Sequence, residues 1–183
     1  LLASPRHRVI FRPHARTGLF SEEHTAARNR INAMIAAANA ADPGARHLAD
    51  ATPTFDWHVQ TADVCIADVS AVVIDWLTTG QPIVVTQPPG TAAPVPTEGF
   101  IATIDLLQKR QAGQIVEILD AVSADETLAE QRRGWTFHYF GDTTPGAATQ
   151  AWLDACRRVK TQRDHDLLGH EAPGPDPNPP AAD

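Results

Sequence analysis

Short apolar runs alternate with longer stretches of helical periodicity along most of the chain. The apolar runs have the length of buried strands, and proline, glycine or polar residues end them. We predict strands over residues 8–12, 47–48, 64–67, 82–86 and 101–104. The remaining stretches place apolar residues three and four apart, which is typical of amphipathic helices. We predict helices over residues 22–41, 55–62, 70–79, 111–122, 125–140 and 146–160.

Strands that alternate with helices usually pair in parallel through right-handed crossovers. The expected fold class is therefore α/β, a Rossmann-like open parallel sheet with helices on both faces, over residues 1–163. A proline-rich tail is predicted over residues 164–183. In such sheets ligands bind beyond the carboxyl ends of the strands, so the site is expected at residues 13–14, at 68–70 and from 87 onward.

The composition predicts a packed domain and narrows the ligand classes. Hydrophobic residues make up 43% of the chain and charged residues 20%, which excludes global disorder. The net charge of -7 is unevenly distributed, because residues 1–50 carry a balance of +3 and residues 51–183 a balance of -10. This split argues against the continuous basic face of a nucleic-acid-binding protein. It is compatible with an arginine cluster that binds an anionic ligand.

Three further features bear on the compartment and the extent of the chain. No apolar run approaches the ~20 residues of a membrane span. Cys65 and Cys156 lack the spacing of a redox or zinc motif, so we expect a reduced chain in the cytoplasm. The sequence begins at Leu1 and its single methionine is Met34, so we expect a piece of a longer protein.

The most informative segment joins the third predicted strand to the helix that follows it. Asp68 and Ser70 stand at the turn, and the first backbone N–H groups of the helix, those of Ser70, Ala71 and Val72, would have no helical partner. Such groups bind phosphate, and the Ser70 hydroxyl can donate to the same oxygen. In the structural alternative, Ser70 only caps the helix and Asp68 caps the turn.

Other nucleotide-binding and hydrolytic signatures do not occur in the chain. There is no Walker sequence, no G-x-G-x-x-G and no G-x-S-x-G. Their absence from the sequence disfavours nucleotide hydrolases, dinucleotide oxidoreductases and α/β-hydrolases.

The same turn segment is the longest of four sequence blocks that resemble one enzyme family. It has the form A-D-x-x-I-x-D-x-S-x-V-x-x-D followed by G-x-P-I-V. This is similar to the T-D-Y-S-S-V-x-F-D block of the CDP-glycerol glycerophosphotransferases of teichoic-acid synthesis. The other blocks resemble the family's R-x-H-P, R-G-F and F-x-x-x-D-G-x-A-S-x-R sequences, in the same order, and lie at residues 9–14, 98–100 and 140–149.

The resemblance implies the C-terminal half of a GT-B transferase, which binds a nucleotide-diphosphate donor such as CDP-glycerol and needs no metal or other cofactor. His14 is then the catalytic candidate, beside the donor diphosphate, where it neutralises charge on the leaving nucleotide or donates a proton to it. A separate N-terminal domain would bind the acceptor, and any peripheral contact with the inner face of the cell membrane would be made through it. The residues implied in donor or phosphate binding are Arg12, Asp68, Ser70, Ala71 and Thr149.

Three positions differ from the family pattern in ways that affect anion binding. Ala71 replaces a serine, while Glu98 and Ala151 stand where the family has arginines. Three interpretations stay open. The donor can be a nucleotide sugar instead of CDP-glycerol, other arginines can substitute, or the domain is a GT-B-like module without catalysis. The candidate substitutes are Arg16 and Arg6.

The remaining histidines and tryptophans are expected to have structural roles. His47 and His58 follow no metal-ligand spacing and are predicted to be ordinary surface residues. The four tryptophans fall on helical patterns, where core packing is a commoner role than base stacking. They are Trp57, Trp76, Trp135 and Trp152.

Overall fold

The computed structural model describes residues 1–52, 54, 56–90 and 94–168, which form a mixed α/β structure with short parallel strands. Contacts divide the chain into two compact units, Leu1–Trp135 and Thr136–Asp183. The strands are β1 Ile10–Phe11, β2 Leu48–Ala49, β3 Cys65–Ala67 and β4 Ile83–Val85. The helices are α1 Glu22–Ala41, α2 Asp56–Thr61, α3 Ala71–Leu77, α4 Ile115–Ala124, α5 Glu126–Phe140 and α6 Ala147–Leu168, with 3₁₀ helices at Phe100–Thr103 and Lys109–Gln114.

Two strand–helix–strand units form the part of the first unit that concerns the site. Helix α1 connects β1 to β2, and these strands pair in parallel with Ile10 opposite Leu48. Helix α3 connects β3 to β4, which pair in parallel with Ile66 opposite Val84. The predicted α/β class with parallel pairing is therefore confirmed.

The structure shows the strands paired two by two, so the single open sheet of the prediction is not shown. Within the described residues, β1 pairs with β2 alone and β3 pairs with β4 alone. A further parallel bridge between Thr86 and Leu107 extends the second pair. The Leu107 N–H donates to the Val85 carbonyl at 2.8 Å, and the Gln87 N–H donates to the Leu107 carbonyl at 2.9 Å. These two hydrogen bonds hold Leu107 beside the end of β4.

The strand predicted over residues 101–104 is wrong. Phe100–Thr103 is a 3₁₀ helix, and it begins after Gly99, whose φ of 76° favours glycine. The Thr103 hydroxyl donates to the Phe100 carbonyl at 2.7 Å. Phe100 and Ile101 are both buried. A helical turn lets consecutive apolar side chains reach the same core, whereas a strand would direct them to opposite faces.

The core of the first unit lies where α3 packs on β4. All three residues of β4 are buried, and α3 contributes Val73, Trp76 and Leu77. The Trp76 indole N–H donates to the Pro82 carbonyl at 3.0 Å, which ties this core to the start of β4. Trp135 packs against the same core as predicted. The prediction is wrong for Trp152, whose side chain is 66% exposed on α6.

Helix α6 extends beyond its predicted end at residue 160 and reaches Leu168. Side-chain pairs four residues apart support the extra turns, because Lys160 contacts Asp164 at 2.6 Å and Gln162 contacts Asp166 at 2.8 Å. The proline-rich segment predicted as a tail lies outside the described residues from position 169 onward, as does Phe55 at the start of the predicted second helix.

Candidate functional site

A cavity of about 830 Å³ lies in the first unit, at the ends of β1 and β3. Its wall combines β1 and the loop after it, one face of α1, and the turn from β3 into α3. Thr149 lies on α6 in the second unit. The sequence-predicted site residues that line the cavity together are Arg12, His14, Asp68, Ser70 and Ala71.

His14 lies on the loop after β1, with its side chain exposed. Its Nδ1 accepts a hydrogen bond from the Arg16 backbone N–H at 3.1 Å, and its carbonyl accepts from the Thr17 N–H at 2.8 Å. An imidazole that accepts at Nδ1 carries its proton on Nε2 in the neutral form. The turn therefore presents an Nε2–H donor on the cavity wall.

The turn from β3 into α3 offers polar groups with few protein partners. Ser70 precedes the helix in an extended conformation, and its side chain accepts no capping hydrogen bond from the residues that the structure describes. Its hydroxyl donates weakly to the Asp68 carbonyl, at 3.4 Å. The capping role weighed for Ser70 as the structural alternative is therefore not observed. Helix α3 has only seven residues, so the open backbone N–H groups matter more here than a long helix dipole.

A buried polar cluster at the ends of β1 and β2 was missed by the sequence analysis. Asp50 directly follows β2 and is 5% exposed. One of its oxygens, Oδ2, accepts hydrogen bonds from Arg12 Nη1, from the Thr52 hydroxyl at 3.1 Å and from His58 Nε2 at 2.9 Å. The other oxygen, Oδ1, accepts from the Thr52 N–H at 3.1 Å. The Asp50 carboxylate is thus surrounded by donors.

Together, the hydrogen bonds to the Asp50 carboxyl lower its pKa by more than burial raises it. Burial alone would raise the pKa of the Asp50 carboxyl, but the bonds from Thr52, Arg12 and His58 lower it from 3.8 to about 2. Asp50 is therefore a fixed negative charge at neutral pH. That charge compensates Arg12, whose guanidinium also donates to the Thr52 hydroxyl at 3.2 Å.

His47 and His58 are both buried at 5% exposure, so the prediction that they are surface residues is wrong. His47 Nδ1 accepts from the Val9 N–H at 3.1 Å, beside β1. His58 lines the cavity, bonds Asp50 and stacks on Trp57 with ring centroids 3.9 Å apart. Both rings are held by specific partners, which explains how they are accommodated inside the fold.

Helix α1 contributes a face that the sequence analysis did not single out. His24, Arg28 and Ile31 line the cavity at a spacing of four and then three residues. Arg28 Nη1 donates to the Thr17 carbonyl at 3.1 Å, in the loop that carries His14. The periodic spacing was visible in the sequence, and it was the only available signal for this face.

The arginines and the glutamate that figured in the sequence analysis lie elsewhere. Arg6 is exposed and donates to both carboxylate oxygens of Asp120, at 3.1 and 2.9 Å. Neither Arg16 nor Glu98 is among the described residues that line the cavity. Ala151 is exposed on α6. The structure therefore does not place Arg6 or Arg16 in the cavity wall as a substitute cation.

Cys65 lines the cavity from β3, and burial raises the pKa of its thiol to about 11. A thiol that stays protonated at neutral pH is a poor nucleophile and a poor metal ligand.

Across the described ranges, no group of three or more histidine, cysteine or acidic side chains is arranged to hold a metal ion. In the same part of the chain, no helix is long and apolar enough to span a membrane.

Comparisons of the chain with protein-family models, with curated proteins and with solved structures find no match. Function is therefore inferred from the cavity, from the chemistry of its lining residues and from the four sequence blocks.

Proposed function

We propose that the first unit binds a nucleotide-diphosphate donor in this cavity, as the donor domain of a GT-B transferase related to the CDP-glycerol glycerophosphotransferases of teichoic-acid-type polymer synthesis. The observation that carries the proposal is the convergence of two sequence blocks on one cavity. Arg12 and His14 come from one block, and Asp68, Ser70 and Ala71 from another, more than fifty residues along the chain. The side chains of Arg12, His14 and Ser70 and the backbone amide of Ala71 supply N–H and O–H donors, which a diphosphate needs, whereas the Asp68 carboxylate supplies none.

The proposal includes one open sheet of Rossmann type, in the strand order β2-β1-β3-β4. The Val9 and Phe11 carbonyls accept from β2, so the backbone groups of Ile10 point to the opposite edge of β1. In β3, Cys65 and Ala67 bond to the β4 side, so the backbone groups of Ile66 point away from β4. Ile10 and Ile66 both line the cavity. The order of the strands would reverse between β1 and β3, which is where open α/β sheets bind their ligands.

In the proposed reaction, an acceptor hydroxyl attacks the phosphorus that carries glycerol. The new oxygen–phosphorus bond forms as the bond to the second phosphate breaks, CMP leaves with the electron pair, and the proton of the acceptor hydroxyl would pass to the solvent. The His14 Nε2–H would donate to the leaving phosphate, and the amides of the turn into α3 would hold the diphosphate. The acceptor would be bound by the N-terminal domain that the family resemblance implies.

A second candidate function is a non-catalytic module of the same fold. It is favoured by Arg12, whose charge is compensated by buried Asp50, and by Glu98 in place of a family arginine. A nucleotide-sugar transferase keeps the fold but differs in the donor and in the atom attacked, because the acceptor would attack the anomeric carbon of the sugar and the nucleoside diphosphate would leave. All three can be separated by titrating the chain with ligands.

The experiment follows the backbone amides by NMR while CDP-glycerol, UDP-glucose or cytidine is added. The proposal expects CDP-glycerol to shift the amides of His14, Ser70 and Ala71. His14→Ala should weaken binding about tenfold, because it removes a hydrogen bond to a charged group. The control is His165→Ala, whose side chain is 83% exposed on α6.

Each outcome selects one of the three functions. Tighter binding of UDP-glucose than of CDP-glycerol would support the nucleotide-sugar transferase. No shift at His14, Ser70 or Ala71 with any of the ligands at millimolar concentration would overturn donor binding and leave the non-catalytic module.

A further inference from the structure

The two arginines among the described lining residues of the cavity differ in their electrostatic surroundings. Arg12 is paired with the buried carboxylate of Asp50, so little of its positive charge acts on a ligand. Arg28 has no carboxylate within ion-pair distance among residues 1–52, 54, 56–90 and 94–168. The uncompensated positive charge on the cavity wall is therefore that of Arg28.

The position of Arg28 is held from two sides. Its backbone lies in the twenty-residue helix α1, whose start is capped by the Ser21 hydroxyl accepting from the His24 N–H at 3.2 Å. Its side chain is half-buried, and Nη1 donates to the Thr17 carbonyl at 3.1 Å. A guanidinium has five N–H donors in a fixed plane. One bond to Thr17 orients the group and leaves donors for a second acceptor.

The cavity supplies the rest of an anion site around Arg28. His14 lies on the same loop as Thr17, with its proton on Nε2, and His24 lies one turn before Arg28 on α1. The only acidic side chain among the described lining residues is Asp68. This arrangement favours an anion with several acceptor oxygens over a neutral ligand.

We propose that Arg28 is the binding residue that supplies the guanidinium contact to the diphosphate of the cavity ligand. The inference rests on the proposed function and extends it to a residue outside all four family blocks. The family pattern has arginines at the positions of Glu98 and Ala151. Arg28 would supply the guanidinium that these two positions lack. A planar guanidinium can form two parallel hydrogen bonds to one phosphate, which a lysine or a backbone amide cannot.

The test is a calorimetric titration of the 183-residue chain with inorganic pyrophosphate. We expect Arg28→Gln to weaken binding about tenfold or more, because a hydrogen bond to a charged group is lost. The matched control is Arg30→Gln on the exposed surface of the same helix, which should change the dissociation constant by less than about twofold. Uncharged cytidine is titrated in parallel and should bind equally to all variants.

A second readout separates a binding role from a merely structural one. If Arg28 contacts the anion, the pyrophosphate affinity of Arg28→Gln should depend less on salt concentration than that of the unmodified chain. Arg28→Lys keeps the charge and one donor for the Thr17 carbonyl, so it covers the case in which the glutamine variant folds poorly. It should bind more weakly than the unmodified chain and more tightly than Arg28→Gln.

The outcomes distinguish this inference from the proposed function. If the unmodified chain binds no pyrophosphate, the assignment of Arg28 is overturned, while donor binding is still decided by the titration with CDP-glycerol. If it binds pyrophosphate and Arg28→Gln binds equally well, the assignment of Arg28 alone fails. It fails in the same way if the variant binds more weakly with an unchanged salt dependence, since the loss would then come from the shape of the loop.

Discussion

At the ends of β1 and β2 the cavity wall is a dense network of hydrogen bonds, whereas at the turn from β3 into α3 its polar groups have few protein partners. Asp50 is buried and accepts four hydrogen bonds, counting two from Thr52 and one each from Arg12 and His58. Asp68 is exposed, and Ser70 makes one long hydrogen bond of 3.4 Å. Both regions follow parallel strands and line or adjoin the same cavity.

The difference separates polar groups that hold the fold from polar groups that can serve a ligand. A buried carboxylate is stable only while its donors remain in place, so the Asp50 cluster is expected to stabilise the ends of β1 and β2. Polar groups at the other turn make few hydrogen bonds to the described residues, so a ligand can bond to them without breaking the bonds that hold the fold.

The largest effect is expected when Asp50 is removed. Asp50→Ala removes the buried carboxylate that pairs with Arg12 and that accepts a hydrogen bond from His58. Breaking a buried ion pair from one side typically costs about 3 kcal/mol or more in the free energy of unfolding. Urea unfolding of the full chain, followed by circular dichroism, measures the loss.

The control for that variant is Asp68→Ala at the opposite wall. Because the Asp68 carboxylate is exposed, we expect its removal to change the free energy of unfolding by less than about 0.5 kcal/mol. Equal destabilisation by the two substitutions would contradict the division between a structural and a ligand-facing wall.

The stability of the chain should also depend on pH through Asp50. The pKa of Asp50 is lowered from 3.8 in the unfolded chain to about 2 in the fold, so its contribution is complete above roughly pH 5 and is lost as the pH falls toward 2. We expect the difference in unfolding free energy between the unmodified chain and Asp50→Asn to shrink over that interval. Urea unfolding at pH 6, 4 and 2.5 measures it; a constant difference would show that Asp50 titrates normally.

The sequence predicted the turn with Asp68 and Ser70 but not the Asp50 cluster. The two differ in how far apart along the chain their interacting residues lie. Ser70 and Asp68 are two residues apart at a strand–helix boundary, so a local pattern was enough to find them. Besides Thr52, which is two residues away, the partners of Asp50 are His58, eight residues away, and Arg12, 38 residues away. Their meeting depends on β1 pairing with β2 and on the placement of α2, which no local pattern contains.

The same limit applies to Arg28 and to the predicted strand at residues 101–104. The spacing of His24, Arg28 and Ile31 marks one face of α1, but only the fold shows that this face meets the cavity. At Phe100 and Ile101 an apolar run was consistent with either a strand or a buried turn. Gly99 has a positive φ, which lies outside the strand region, and the 3₁₀ turn follows it directly.

The smallest effect is expected for Ser21 and Ser70, two serines that precede helices. The Ser21 hydroxyl accepts from the His24 N–H at the start of α1, whereas the Ser70 side chain caps no described residue at the start of α3. Ser21→Ala should therefore cost about 1 kcal/mol of unfolding free energy, the usual value for a lost cap, and Ser70→Ala a few tenths at most. Thermal unfolding of the two variants measures the contrast. A loss of about 1 kcal/mol in Ser70→Ala would show that Ser70 is a structural cap, and its hydroxyl would then be committed to α3 instead of a ligand.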